Sequence, residues 1–229
     1  GDDGKTHQGV FDIAYSRVIP NMTVAAPKDE NELQHVLSTA IQSGKPFVVR
    51  YPRGVALGVE LDETLKTVPI GKGEILREGR DLMLLAYGSM VSVALAAADE
   101  FSRRGISCGV ANARFAKPLD MELLTRLASS CPRILTLEEH LAIGGFGAGV
   151  VEAFHEAGLP TEGLKIHAIG DHFIDHSPQA QQRHNLKLDV EGVVETVYVK
   201  FPDLARSFPT AAPDPDPRKK EKFAETVNW

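Results

Sequence analysis

Two short stretches carry side chains suited to chemistry. The first, "DDGKTHQG", sets His7 among glycines, with Thr6 beside it and Asp3 upstream. A histidine in such a loop can exchange protons near neutral pH, and a nearby carboxylate can orient it or bind a substrate hydroxyl. The same residues also suit an ordinary surface turn, because Asp-Gly is common turn chemistry. The "GKT" within it is not a phosphate-binding loop, since it lacks the glycine and the strand that motif requires ahead of it. The second stretch is "RYPRG" at 50–54. Arg50 and Arg53 fall at the end of an expected parallel strand, where ligands of open α/β sheets gather. A guanidinium fork fits a phosphate or a carboxylate, and a structural salt bridge is the alternative. Arg53 is the better ligand, because Pro52 fixes the backbone before it and Gly54 permits close approach.

A third stretch, "EEHLAIGGFGAGV" at 138–150, puts glycines after a strand and before a helix. Its spacing departs from G-x-G-x-x-G, and Glu162, the acid at about the required distance, precedes a strand instead of following one. Close packing of helix on sheet accounts for the glycines without a dinucleotide. His172 and His176 have H-x-x-x-H spacing, but in "GDHFIDHSP", which reads as a loop with no third ligand; a polar loop or interface role is expected. Cys108 and Cys131 lack metal spacing and read as small buried residues in a reducing compartment.

The elements that must position these loops alternate. "MTVAA" reads as a short buried strand. A helix follows, starting at the D-x-x-E of Asp29 and Glu32, with Leu33, Val36, Leu37, Ala40 and Ile41 at helical spacing and Gly44 as its stop. "PFVV" gives the next strand, and the β-α-β order predicts parallel pairing. Residues 55–80, with Pro69 and glycines 71, 73 and 79, read as a linker ending in a small edge hairpin. From Asp81 the alternation resumes, with strands near Leu82, Ile106, Ile134 and Ile166 separated by helices. This predicts an open, mostly parallel α/β sheet covered on both faces. From residue 202 a tail is expected to be disordered, alternating proline with acids after Pro209 and then becoming a charge run. Its "KKEKF" is read as a solvated tail, with a nucleic-acid patch as the alternative.

Composition excludes several classes. The 229 residues are 43% hydrophobic, enough for a core. A net charge of −6 argues against a nucleic-acid partner. No apolar run approaches the ~18 residues of a membrane span, and no signal peptide is evident. A cytoplasmic location is expected, with a plastid as the alternative.

"DGKTHQGVFDIAYSRVIPNMTVAAPKDENEL", followed by "RYPRG", resembles the 1-deoxy-D-xylulose-5-phosphate synthase family of transketolase-like thiamine diphosphate enzymes. The family pattern D-G-x-T-H-x-G-x-F-D, I-P-x-M, P-x-D-x-x-E-L and R-Y-P-R-G stands from Asp3 to Gly54. "FAKPLD", "EEHLAIGGFGAGV" and "DHFIDH" fit its later part, with Ser177 where the family usually has glycine. The likeness covers roughly residues 1–200. It implies an incomplete pyrimidine-binding-type α/β domain at 1–54, a linker at 55–80, and a complete transketolase C-terminal-type α/β domain with a mostly parallel sheet at 81–201. It implies thiamine diphosphate and Mg²⁺ as cofactors, pyruvate and glyceraldehyde 3-phosphate as substrates, a homodimer, and a product feeding isoprenoid, thiamine and pyridoxal synthesis. By the same resemblance His7 supplies a proton to the developing alkoxide, Asp3 binds acceptor or intermediate hydroxyls, Arg53 binds the acceptor's phosphate, and Arg50 supports the loop.

The family's G-D-G-plus-Asn metal motif and its activating glutamate are not in this sequence. The chain is therefore expected to be a truncated, split or cleaved part of a longer protein, inactive in isolation, with the amino-terminal and middle segments as its missing partners. The alternatives are part of a split transketolase, a 2-oxo-acid dehydrogenase β subunit, or a catalytically silent α/β dimerisation module.

Overall fold

A computed structural model describes residues 4–207. After a 3-10 turn at Gly4–His7 come α1 (Asp12–Arg17), β1 (Thr23–Ala25), α2 (Glu30–Ser43) and β2 (Phe47–Val49). Asp29 caps α2 in an extended conformation, accepting from Glu32 N at 2.7 Å, and Gly44 ends the helix at φ 60°. The strands on either side pair in parallel, Thr23 opposite Phe47 and Ala25 opposite Val49.

The second part runs β3 (Glu74–Arg77), β4 (Leu82–Ala86), α3 (Met90–Arg103), β5 (Cys108–Asn112), β6 (Phe115–Lys117), α4 (Met121–Ser130), β7 (Ile134–Leu141), α5 (Phe146–Glu156), β8 (Leu164–Ile169), α6 (Gln179–Asn185), α7 (Val190–Lys200) and α8 (Pro202–Ser207). Five strands form one sheet in the order β3-β5-β4-β7-β8, parallel except for β3. The alternation along β4 decides which core each side chain joins. Leu82, Leu84 and Ala86 pack with α3 and α7, while Met83 and Leu85 pack with α4 and α5. The second of these cores also takes Ile13 of α1 and Val24 of β1.

β6 leaves the large sheet. It adds to the free edge of β1 as an antiparallel strand, Ala25 opposite Phe115, and completes a three-stranded sheet β2-β1-β6. A buried ionic network sits behind this joint. Glu32 of α2 accepts from Asn112 Nδ2 at 3.0 Å and from Arg114 Nε at 2.5 Å, and Arg114 also pairs with Glu74 at 2.8 Å.

Two features differ from the sequence expectations. The edge hairpin placed before residue 80 is a single strand, β3, because its partner is the distant β5, with Ile75 opposite Ala111. Residues 202–207, expected to open the tail, form α8; Leu204 enters the core beside Phe201, and Arg133 pairs with Asp203. The rest of the expected tail, 208–229, lies outside the described residues. The short α1 falls in a stretch to which the sequence assigns no element.

The stretch after β2 has little regular structure of its own but is laid along α2. Glu30 accepts from Val59 N at 2.9 Å and Asn31 from Asp62 N at 2.8 Å. His35 Nδ1 accepts from Lys66 N at 3.1 Å while its Nε2 meets Asp62 Oδ2 at 2.8 Å, and Thr39 accepts from Val68 N at 2.7 Å. One helix face thus satisfies the backbone donors of an irregular segment. Cys108 and Cys131 are free and buried. Among the described residues no helix is long and apolar enough to cross a membrane.

Candidate functional site

The His7 segment and the Arg53 loop meet the same piece of chain, residues 173–179, which runs from the loop after β8 into the first residue of α6. Gln8 Nε2 donates to Ile174 O, and Ile174 N donates back to Gln8 Oε1 at 3.4 Å. Lys5 pairs with Asp175 at 2.8 Å, and the ring of Phe11 meets Phe173 edge-on at 5.9 Å. A Cβ on Gly4 would lie 3.1 Å from His176 Cβ. On the other side, Gly54, next to Arg53, would place a Cβ 3.4 Å from Gln179 Oε1. His7 is exposed, with Thr6 Oγ1 2.9 Å from its Nδ1. Arg53 is exposed as well. Asp3 lies outside the described residues. His176 belongs to the shared stretch and His172 immediately precedes it, and among the described residues no group of three His, Cys, Asp or Glu is placed to hold a metal ion.

Beneath this rim lies the end of β7. Glu138 is fully buried, and its carboxylate accepts from the first N–H groups of α5, Phe146 N at 2.6 Å and Gly147 N at 2.7 Å. Burial pushes this carboxyl up to about 7, against those donors and the charges of Arg50 and Arg17. His140, also buried, donates from Nδ1 to Leu141 O at 2.7 Å and accepts at Nε2 from Ala14 N at 3.2 Å. This is the bonding of a neutral ring, and burial holds its pKa below the ordinary value. The glycines around 145–149 are needed for close approach. A Cβ on Gly147 would sit 2.5 Å from Thr136 Oγ1, and one on Gly149 would sit 2.5 Å from Arg17 Nη2. Arg17 in turn donates to Gly144 O and Gly145 O, both at 2.8 Å, which docks α1 on this turn.

The pattern "Transketolase, C-terminal domain" matches residues 71–193, more than half of the chain. The chain belongs to this transketolase C-terminal domain family. "Transketolase, pyrimidine binding domain" matches residues 1–57. Curated relatives named 1-deoxy-D-xylulose-5-phosphate synthase are 48% identical over 84% of this chain in Heliobacterium modesticaldum and 43% identical over 88% in Brevibacillus brevis. Another, from Geobacter metallireducens and named 1-deoxy-D-xylulose-5-phosphate synthase 1, is 49% identical over 86%. The chain spans 30–32% of the length of these three relatives. Among solved structures, a split gene transketolase, described as an inactive beta4 tetramer, is 28% identical with a TM-score of 0.72, covering 87% of this chain and 64% of its own. A transketolase mutant from Pichia stipitis, 22% identical with a TM-score of 0.63 over 87% of this chain and 28% of its own, shares the fold.

The glycine-flanked start of α5, which resembles a phosphate cradle, is filled by the Glu138 carboxylate. Sequence reasoning also missed Glu139. Its side chain accepts from Ser89 Oγ and from Arg183 Nε at 2.6 Å, and its backbone oxygen accepts from Arg50 Nη2 at 2.8 Å. Burial opposes the charge of Glu139, but Arg183, with help from Arg50 and Ser89, holds its carboxyl below the usual range. Arg50 also reaches Asp12 at 3.3 Å. The doubled acid of "EEH" at a strand end was the only sequence signal for this cluster.

Proposed function

We propose that this chain is the carboxy-terminal part of a synthase that joins pyruvate to glyceraldehyde 3-phosphate, giving 1-deoxy-D-xylulose 5-phosphate and CO₂ for isoprenoid precursor, thiamine and pyridoxal synthesis. The observation that carries the reading is the convergence of the His7 and Arg53 segments on residues 173–179. It is supported by relatives of that name at 43–49% identity. Arg53 binds the acceptor's phosphate as a charge-assisted pair. Asp3 holds acceptor hydroxyls. His7 gives its proton to the alkoxide oxygen that develops on the former aldehyde carbon. The thiamine diphosphate and Mg²⁺ that such enzymes use are held by segments outside this chain, and the working enzyme is a homodimer in the cytoplasm.

Supplying this chain together with the remainder of its enzyme, and following CO₂ release from pyruvate and formation of the five-carbon sugar phosphate, tests the reading. Product is expected with glyceraldehyde 3-phosphate. Formation of only two-carbon transfer products from ketose phosphates would overturn it. A second reading, a catalytically silent oligomerising chain, is favoured by the likeness to the split transketolase whose tetramer is described as inactive. It predicts no product under any reconstitution.

A further inference from the structure

We propose that Glu139 is a positioning residue for the acceptor's phosphate, setting the gap between the 51–54 loop and the start of α6. The proposal deepens the reading above and rests on it. Its basis is a run of contacts from the end of β2 to α6. The end of β2 is fixed by Arg50 N donating to Ala25 O at 2.8 Å. The Arg50 guanidinium then crosses to Glu139 O at 2.8 Å. From the same residue the carboxylate takes Arg183 Nε at 2.6 Å, with Ser89 Oγ on its other oxygen. Arg183 lies on α6 one turn beyond Gln179, on the same helix face. Gln179 faces the loop at Gly54, beside Arg53, where an added Cβ would lie 3.4 Å from Gln179 Oε1. Glu139 is therefore bonded both to the base of the 51–54 loop, through its backbone, and to α6, through its side chain.

This arrangement has a chemical consequence. The Glu139 side chain is only 13% exposed and that of Arg183 25%, so water competes weakly for the pair and its geometry is held. Removing the carboxylate's charge frees α6 to shift against the 51–54 loop. A displacement of about 1 Å can cost on the order of a hundredfold when it falls on the reacting geometry, and here it falls on the phosphate end of the acceptor. The expected loss is in recognition of the phosphate, with proton transfer at His7 left in place. A purely structural ion pair would lower the turnover of every acceptor alike.

The test compares phosphorylated with unphosphorylated glyceraldehyde in the complete enzyme. Glu139→Gln should raise the KM for glyceraldehyde 3-phosphate about tenfold, with kcat within about threefold, the pyruvate KM unchanged, and kcat/KM for free glyceraldehyde within about twofold. The preference for the phosphorylated acceptor thus falls about tenfold. Arg183→Gln, on a partly exposed helix and so a smaller risk to folding, should reproduce this split. The double variant should be no worse than either single one, as expected for two halves of one contact. Equal losses on both acceptors, or an unchanged preference in both variants, would overturn the proposal. A wild-type enzyme that fails to join pyruvate to glyceraldehyde 3-phosphate would overturn the functional reading instead.

Discussion

Gln8 and Ile174 bond each other twice, the side-chain amide of one with the backbone N–H and C=O of the other. The bond ties the His7 segment to the loop between β8 and α6. Gln8→Ala removes both links, and a hydrogen bond of this kind is worth about 1 kcal/mol net. The amide of Ile174 should then exchange with solvent roughly fivefold faster, and kcat of the complete enzyme should fall by a similar factor. Unchanged exchange at Ile174 would show that other contacts hold the loop.

Arg53 and His7 should fail in different ways. Arg53→Ala in the complete enzyme should raise the KM for glyceraldehyde 3-phosphate about ten- to a hundredfold, the worth of a charge-assisted hydrogen bond. The KM for pyruvate should stay put. Arg53→Lys should also be impaired, because an ammonium keeps the charge without the fork. His7→Ala should instead lower kcat, by about a hundred- to ten-thousandfold. Steady-state kinetics on both substrates separate these patterns, and an Arg53→Ala enzyme with an unchanged acceptor KM would refute the phosphate role.

Glu138 should leave a mark on stability. Its carboxyl titrates near 4.5 when unperturbed and at about 7 in the folded chain. Between those values the folded state holds the proton more tightly, so the contribution of Glu138 is full below pH 4.5 and is lost as pH rises through 7. The loss amounts to roughly 3 kcal/mol. His140 and His167, held low by burial, act with the opposite sign, their stabilisation being present above about 6.5 and lost as pH falls. Comparing wild type with Glu138→Gln cancels the histidines. Denaturant unfolding at pH 5 and pH 8 should show the wild type losing more stability than the variant on going up. Parallel pH dependences would remove Glu138 as the cause.

His35→Ala should release part of the segment along α2, since it removes the bonds to Lys66 N and Asp62. Cleavage by a nonspecific protease within residues 55–68 should become about tenfold faster, in line with local opening eased by one or two hydrogen bonds. Cleavage at the wild-type rate would mean that Glu30, Asn31 and Thr39 suffice.

What the sequence made legible follows the range of the interactions. α2 was readable with its cap at Asp29 and its stop at Gly44, because both signals are local. The parallel strands were readable as well, because a strand such as β4, apolar along its whole length, has little choice but to be buried on both faces. β3 and β6 were misread or missed because a strand of three or four residues is defined by a remote partner, Ala111 for Ile75 and Ala25 for Phe115. At the rim, His7 and Arg53 announced themselves by loop chemistry and family pattern. Glu138 and Glu139 did not, since their partners, Phe146 N, Arg183 and Arg50, are brought to them only by the fold.

The antiparallel strand β6 also bears on how such proteins can be recombined. It is encoded after β5, yet it completes the sheet of β1 and β2. A genetic crossover between residues 55 and 80 would replace not only the second unit but also one strand of the first unit's sheet, along with Arg114, the partner of Glu32. Chimeras made at that seam should succeed only between parents that match at Phe115–Lys117 and Arg114, so inheritance of the two halves is coupled even though the chain between them looks like a free joint.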